Sequence, residues 1–293
     1  MKIVGTYVAL ASPMDAEGRV DHRSFERLLD YQAAGGVVGV VVGGTTGESP
    51  NLSLEELTAL VRRARDHLPT SIQVIAGSGS NSTAKAVELT RQVFEAGADA
   101  AMVVTPFYNK PTQRGLECHY EAVADAASGP IVLYNVPSRT ACDLAPDTVV
   151  TLSRHERICA VKEAVPDMTR MSALRERCPD DFAVLSGDDP TLAEALEHGA
   201  DGTVSVTGNV APQHLSDLVR YGRTGEHREA RAIDDRLRDV HAAMFVQSNP
   251  IAVKWALARL GVIDCAALRL PLTPLDPAYE GHVEDALRKA DLL

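Results

Sequence analysis

The sequence predicts a (β/α)8 barrel, and three observations carry that prediction. Eight short β-branched apolar runs recur, at 4–10, 37–43, 72–76, 100–104, 130–134, 158–162, 182–186 and 202–206, each starting about 20–35 residues after the last. Most are continuous rather than alternating, as expected for parallel strands buried on both faces. Segments of helical period separate them, and eight strand–helix units running one way close into a barrel. A doubly wound open sheet is the competing architecture, but it usually has fewer strands and less even spacing.

Taken in order, the first element needs a decision. Residues 1–12 (MKIVGTYVALAS) mimic a short secretory leader. We read them instead as a first buried strand: the basic region is one lysine, Gly5 and Thr6 break the run, and Pro13 with Asp15 opens a turn. Residues 54–67 follow Ser53, which forms a capping-box pattern with Glu56. Residues 82–96 follow Asn81 and end at Gly97, and 190–198 place Pro190 at the first helical position and end at Gly199. A weak repeat, Ala34-Gly35-Gly36, Ala96-Gly97-Ala98-Asp99 and His198-Gly199-Ala200-Asp201, puts glycine where a helix must stop in the left-handed region. After residue 210 the strand signal ends, and 213–221, 227–246, 250–260 and 280–290 read as helices, the third capped by Asn249 ahead of Pro250. The first of these closes the barrel. The expectation is therefore a barrel over 1–222 and a C-terminal helical extension over 223–293, with an approximate boundary and no linker.

Composition narrows the function. The 293 residues carry 29 Lys plus Arg against 40 Asp plus Glu, a net charge of −11. That balance argues against a general affinity for nucleic acid or anionic membrane, which needs a basic footprint, but leaves room for a small anion held by a local cation. The five scattered cysteines lack any C-x-x-C and read as a reduced, cytoplasmic set. No apolar run approaches the ~18 residues of a membrane span.

Chemistry in such a barrel sits at the C-terminal ends of the strands. Of six lysines, Lys162 alone ends an apolar strand, Ile158-Cys159-Ala160-Val161. Lysines are rarely buried without reason, and desolvation favours the neutral amine that a Schiff base requires. The bland alternative is a salt bridge to Glu163 or Asp188. Tyr134 ends the neighbouring strand, where it serves either as a proton shuttle or as rim packing. Arg139, in a proline-bearing loop, reads either as a bidentate carboxylate clamp or as a surface charge. The G-G-T-T-G-E-S loop at 43–49 lacks the lysine of a phosphate-binding loop, and its hydroxyls and N–H groups suit a small carboxylate equally well. The nine histidines form no H-x-H or H-E-x-x-H, so no catalytic metal is expected. Trp255 reads as packing.

With these residues assembled, the whole chain resembles the dihydrodipicolinate synthase / N-acetylneuraminate lyase family of pyruvate-dependent class I aldolases. The resemblance rests on G-T-T-G-E-S at 44–49, T-P-F-Y-N-K-P at 105–111, Y-N-V-P-S-R-T at 134–140, V-K-E-A at 161–164, L-S-G-D-D at 185–189, V-S-V-T-G-N-V at 204–210 and L-R-L-P-L-T-P-L at 268–275. Arg139 within its motif resembles the synthase branch. The resemblance implies that Lys162 forms an imine with pyruvate and that Tyr134 handles the protons. It implies that Thr45 and Tyr108 complete a proton relay, Tyr108 being supplied across a subunit interface. Thr46 and the Val204 backbone would hold the pyruvate carboxylate, and Arg139 that of L-aspartate 4-semialdehyde. No separate cofactor is implied, and the assembly implied is a homotetramer of two tight dimers.

The alternatives are a sialate- or keto-deoxy-sugar-type aldolase or dehydratase of the same family, or a non-catalytic barrel that binds a small acid. Phe107 and Gly208 depart from the family's commoner residues without touching the imine chemistry. In regulated members, feedback lysine binds through positions aligning with Ser49, Pro50, Leu54, Leu57, Asn81, Lys85 and Phe107. Leucines at 54 and 57 and a cation at 85 imply insensitivity to lysine.

Overall fold

A computed structural model describes residues 2–293, so Met1 of the leader-like stretch lies outside the described residues. All eight expected strands form: β1 Gly5–Ala9, β2 Gly39–Val42, β3 Gln73–Gly77, β4 Ala100–Val104, β5 Ile131–Asn135, β6 Ile158–Glu163, β7 Ala183–Ser186 and β8 Gly202–Ser205. They pair in chain order, all parallel, and β8 returns to β1, so the sheet is a closed barrel and not an open one. Around it run α1 His22–Ala34, α2 Leu54–His67, α3 Thr83–Glu95, α4 Gln113–Ala126, α5 Pro137–Thr140, α6 Pro146–Leu152, α7 Met168–Arg177, α8 Leu192–Glu197 and α9 Pro212–Thr224. Three further helices follow: α10 His227–Ala243, α11 Ile251–Arg259 and α12 Pro277–Lys289. No helix among the described residues is long and apolar enough to cross a membrane.

The continuous apolar runs arise because each strand faces two cores. Val8, Val40, Val74 and Leu133 pack outward against helix residues such as Phe25, Leu60 and Tyr120. Their neighbours Tyr7, Val41, Ile75, Met102, Tyr134, Leu185 and Val204 fill the interior. Gly39 makes room for this layer, since a Cβ there would lie 2.4 Å from the Tyr7 ring.

The weak repeat has a structural cause at the N-terminal end of the barrel. Gly36, Gly97 and Gly199 all take positive φ, at +74°, +98° and +91°. Beyond the second and third, Asp99 and Asp201 perform the same task. The Asp99 carboxylate accepts from Val74 N–H at 2.7 Å and from Arg65 at 2.8 Å; that of Asp201 accepts from Val184 N–H at 2.9 Å and from Arg175 at 3.1 Å. Each pair bolts a helix end to a strand start.

The Ser53–Glu56 capping box forms as expected. Two local expectations fail. Pro190 lies in a 3-10 turn, Asp189–Thr191, ahead of α8. Asn249 does not cap α11: the residue at its start is Pro250, with no side-chain cap, and the Asn249 amide is used elsewhere.

Candidate active site at the C-terminal rim

Strands β5 and β6 set the centre of the site. Their register places Tyr134 opposite Lys162, and side-chain alternation turns both into the barrel. Lys162 is 3% exposed, and its Nζ lies 4.3 Å from the centre of the Tyr134 ring. Among the described residues no carboxylate comes within 4.0 Å of that nitrogen, so the salt-bridge alternative is not realised. Glu163, one residue on, points to the other face of the strand, where Arg170 Nε donates to it at 2.7 Å. Gly187 leaves the space the lysine occupies, since a Cβ there would lie 2.8 Å from Lys162 Cε. A buried amine without a counter-ion is costly to a fold, which points to chemistry.

Around it lies a cavity of about 240 Å³, lined by Thr45, Thr46, Tyr134, Arg139, Lys162 and Asp188 among others. Five of the seven expected residues therefore meet in one place. Thr46 is buried, and its hydroxyl oxygen accepts a hydrogen bond from Asn249 Nδ2 at 2.9 Å. That bond leaves the hydroxyl hydrogen free to be donated, the right polarity for a carboxylate. Arg139 is exposed at the rim, on the short helix α5, and its guanidinium has no ion-pair partner among the described residues. Burial raises the Asp188 carboxyl above the ordinary carboxylate range, against a hydrogen bond from Thr191.

Two expected residues stand outside. Val204 is buried in the interior layer, and it is Val206 that lines the cavity. Tyr108 does not reach its own barrel's cavity: it is 88% exposed, on a turn where its φ is +75°. A non-glycine residue held in that region stores strain that the surrounding structure must sustain.

A second hollow, of about 220 Å³, shares Gly44, Thr45, Met102 and Tyr134 with the first and continues between Leu54, Leu57 and Phe107. A larger one, of about 950 Å³, opens at the opposite end of the barrel, but its charges at Arg154, Glu156, Asp180 and Asp181 are exposed and solvated. A barrel's chemistry belongs to the other end.

The model of the dihydrodipicolinate synthetase family matches residues 2–290. The chain belongs to that family. It is 46% identical to the 4-hydroxy-tetrahydrodipicolinate synthases of Stutzerimonas stutzeri and Pseudomonas aeruginosa, covering 99% of this chain and 99% of each of theirs. Among solved structures, the dihydrodipicolinate synthase of Acinetobacter baumannii, complexed with pyruvate, superposes with a TM-score of 0.97 at 42% identity, covering 99% of this chain and 100% of that one. The family resemblance read from the motifs therefore holds over the whole length.

Sequence reasoning missed two features of the rim. Asn249 belongs to the cavity wall. Lys254, in α11, is completely buried and donates to Glu48 at 2.6 Å, so the C-terminal helices grip the turn that carries Thr45 and Thr46. Glu48 is held at φ +55°, its second oxygen accepting from Asn51 and from Arg269 N–H. The only signal for Lys254 was Glu48, a carboxylate in a glycine-rich loop with no basic residue beside it.

Proposed function

We propose that this chain condenses pyruvate with L-aspartate 4-semialdehyde to give 4-hydroxy-tetrahydrodipicolinate, on the route to diaminopimelate and lysine. The observation that carries this reading is the buried, unpaired Lys162 beside Tyr134, in a cavity whose rim bears a free arginine.

Lys162 Nζ attacks the pyruvate carbonyl and water leaves, giving the imine. Loss of a methyl proton gives the enamine, whose carbon attacks the aldehyde and leaves a hydroxyl. The semialdehyde's own amine then attacks the imine carbon, closes the ring and releases Lys162. Tyr134 takes and returns the protons, with Thr45 and a partner's tyrosine at position 108 passing them outward. Thr46 and the backbone at the end of β8, from Val204 toward Val206 on the cavity wall, hold the pyruvate carboxylate, and Arg139 that of the second substrate. No separate cofactor is required, because the lysine imine is the electron sink. The exposure of Tyr108 supports a homo-oligomer in which that ring enters a neighbour's site, and the family resemblance implies a dimer of dimers. The cytoplasm is the compartment that suits five unpaired cysteines.

Borohydride reduction in the presence of pyruvate tests the central step. The peptide containing Lys162 should gain a reduced pyruvyl group, and a side-by-side assay should favour aspartate semialdehyde over sialate-type and keto-deoxy-sugar substrates. Labelling at another lysine, or turnover only of the sugar substrates, would overturn the reading.

A further inference from the structure

The Tyr134–Lys162 pair has a mirror on the outer face of the same two strands. One residue further along, the register places Asn135 opposite Glu163, and alternation turns both away from the cavity. Both are buried, at 0% and 1% exposure. The Asn135 amide donates to Glu163 Oε1 at 3.0 Å and also to Asp143 at 2.8 Å, while its carbonyl accepts Leu144 N–H at 2.9 Å. Glu163 Oε1 takes Val165 N–H at 3.0 Å, and Oε2 takes Arg170 Nε at 2.7 Å. Arg170 then closes the figure, donating to Asp143 at 3.0 Å and to the Leu144 carbonyl.

This network spans more than a strand pair. Asp143 and Leu144 end the segment that begins with α5 and carries Arg139, while Arg170 comes from α7. The same side chains therefore fix the separation of Tyr134 from Lys162 and the return of the Arg139 loop. Such an arrangement is expensive. Burial pushes the Glu163 carboxyl up to about 6 even against the pull of Arg170, and an apolar contact between two strands would need no such charge. Directional bonds fix a geometry that apolar packing leaves loose.

We propose that Asn135, Glu163 and Arg170 are positioning residues that hold the imine-forming pair and the Arg139 loop in one register. The proposal rests on the reading of Lys162 as the Schiff-base residue. Burial favours the protonated carboxyl, so the fold itself is not weakened as pH falls; protonation instead takes one acceptor away from Arg170 and the amides, and the register is held best by the ionised form. The groups that face Glu163 are Arg170 from α7, Asn135 from β5 and, through both of them, Asp143; Asp188, also raised by burial, lies on the cavity side of the strands.

The test is Glu163→Gln, which keeps shape and removes charge. The unaltered protein first establishes that pyruvate is trapped at Lys162; failure there defeats the reading of the site, not the network. Given that adduct, E163Q should still unfold cooperatively and still be labelled by saturating pyruvate. Its kcat should fall roughly 10- to 100-fold, the scale of a small misplacement of reacting groups, and it should lack the acid limb expected near pH 6 in the unaltered enzyme. A folded E163Q with unchanged kcat and an unchanged pH profile would overturn the proposal. Should E163Q not accumulate as folded protein, Asp143→Asn decides: it cuts the partly exposed end of the network and should raise the semialdehyde KM severalfold while leaving pyruvate trapping intact. An unchanged KM in D143N would then overturn it.

Discussion

Two lysines in this chain are buried almost equally, and they are opposites. Lys162 ends a barrel strand, is 3% exposed and faces a tyrosine ring, with no carboxylate among the described residues within 4.0 Å. Lys254 sits in the middle of a helix, is 0% exposed and lies 2.6 Å from Glu48. Burial pulls Lys254 below the ordinary lysine range, and the carboxylate opposite pulls it back. One amine has its charge compensated and holds structure together; the other has been left uncompensated, so its nitrogen is available for bond formation. Burial alone therefore does not identify a nucleophile. The partner, or its lack, does.

The same substitution at both positions separates the two roles. Lys162→Met should abolish turnover and borohydride trapping altogether, because no other amine lies at that point. It should leave thermal stability unchanged or slightly raised, since a buried unpaired polar group is replaced by an apolar chain of similar length. Lys254→Met should do the reverse to stability. Removing one partner of a buried pair typically costs about 3–5 kcal/mol, because Glu48 would remain as a stranded charge. Urea unfolding would read that loss, and the double variant Lys254→Met, Glu48→Gln should recover part of it. Equal stability for K162M and K254M would break the comparison.

Arg139 extends the contrast from the buried centre to the open rim. If it clamps the second substrate's carboxylate, Arg139→Ala loses a charge-assisted pair worth roughly 1.5–3 kcal/mol, or about 10- to 150-fold in kcat/KM for the semialdehyde. Pyruvate adduct formation at Lys162 should barely change. Equal damage to both steps would make Arg139 part of the proton machinery or of the scaffold.

What the sequence made legible follows from the range of the interactions involved. The eight strands could be read because burial on both faces leaves continuous apolar runs, and Lys162 because a charge at the end of such a run is conspicuous. Residue alternation could place Glu163 opposite in facing to Lys162, yet could not say that Arg170 would reach it. Asn249 resembled a helix cap because Asn before Pro has the right local form; its actual partner, Thr46, is 203 residues away in the chain. Lys254 was hidden for the same reason, its carboxylate lying 206 residues back. Tyr108 could be named from its motif, but its exposure required the turn at φ +75°.

The smallest expected effect is none, and it concerns the hollow beside the site. Ser49, Pro50, Leu54, Leu57 and Phe107 do line it, whereas Asn81 and Lys85 do not. Its remaining wall includes Leu52, Leu89, Met102 and Val104. A free lysine would bring an ammonium and a carboxylate into a space with no countercharge, and an unpaired buried charge is strongly disfavoured. Lys85, exposed nearby, adds repulsion toward the ammonium. At ~4 Å and an effective dielectric of ~20 a charge pair is worth about 4 kcal/mol before screening; the added distance and solvent leave a fraction of that. Allosteric coupling is typically only about 1–3 kcal/mol, so the missing partners are enough to erase it. Initial rates measured across a millimolar lysine series should therefore be flat. Saturable inhibition would mean that the hollow recruits a countercharge from a second subunit, and the contrast between a charged rim and an apolar annex would no longer hold in the assembled enzyme.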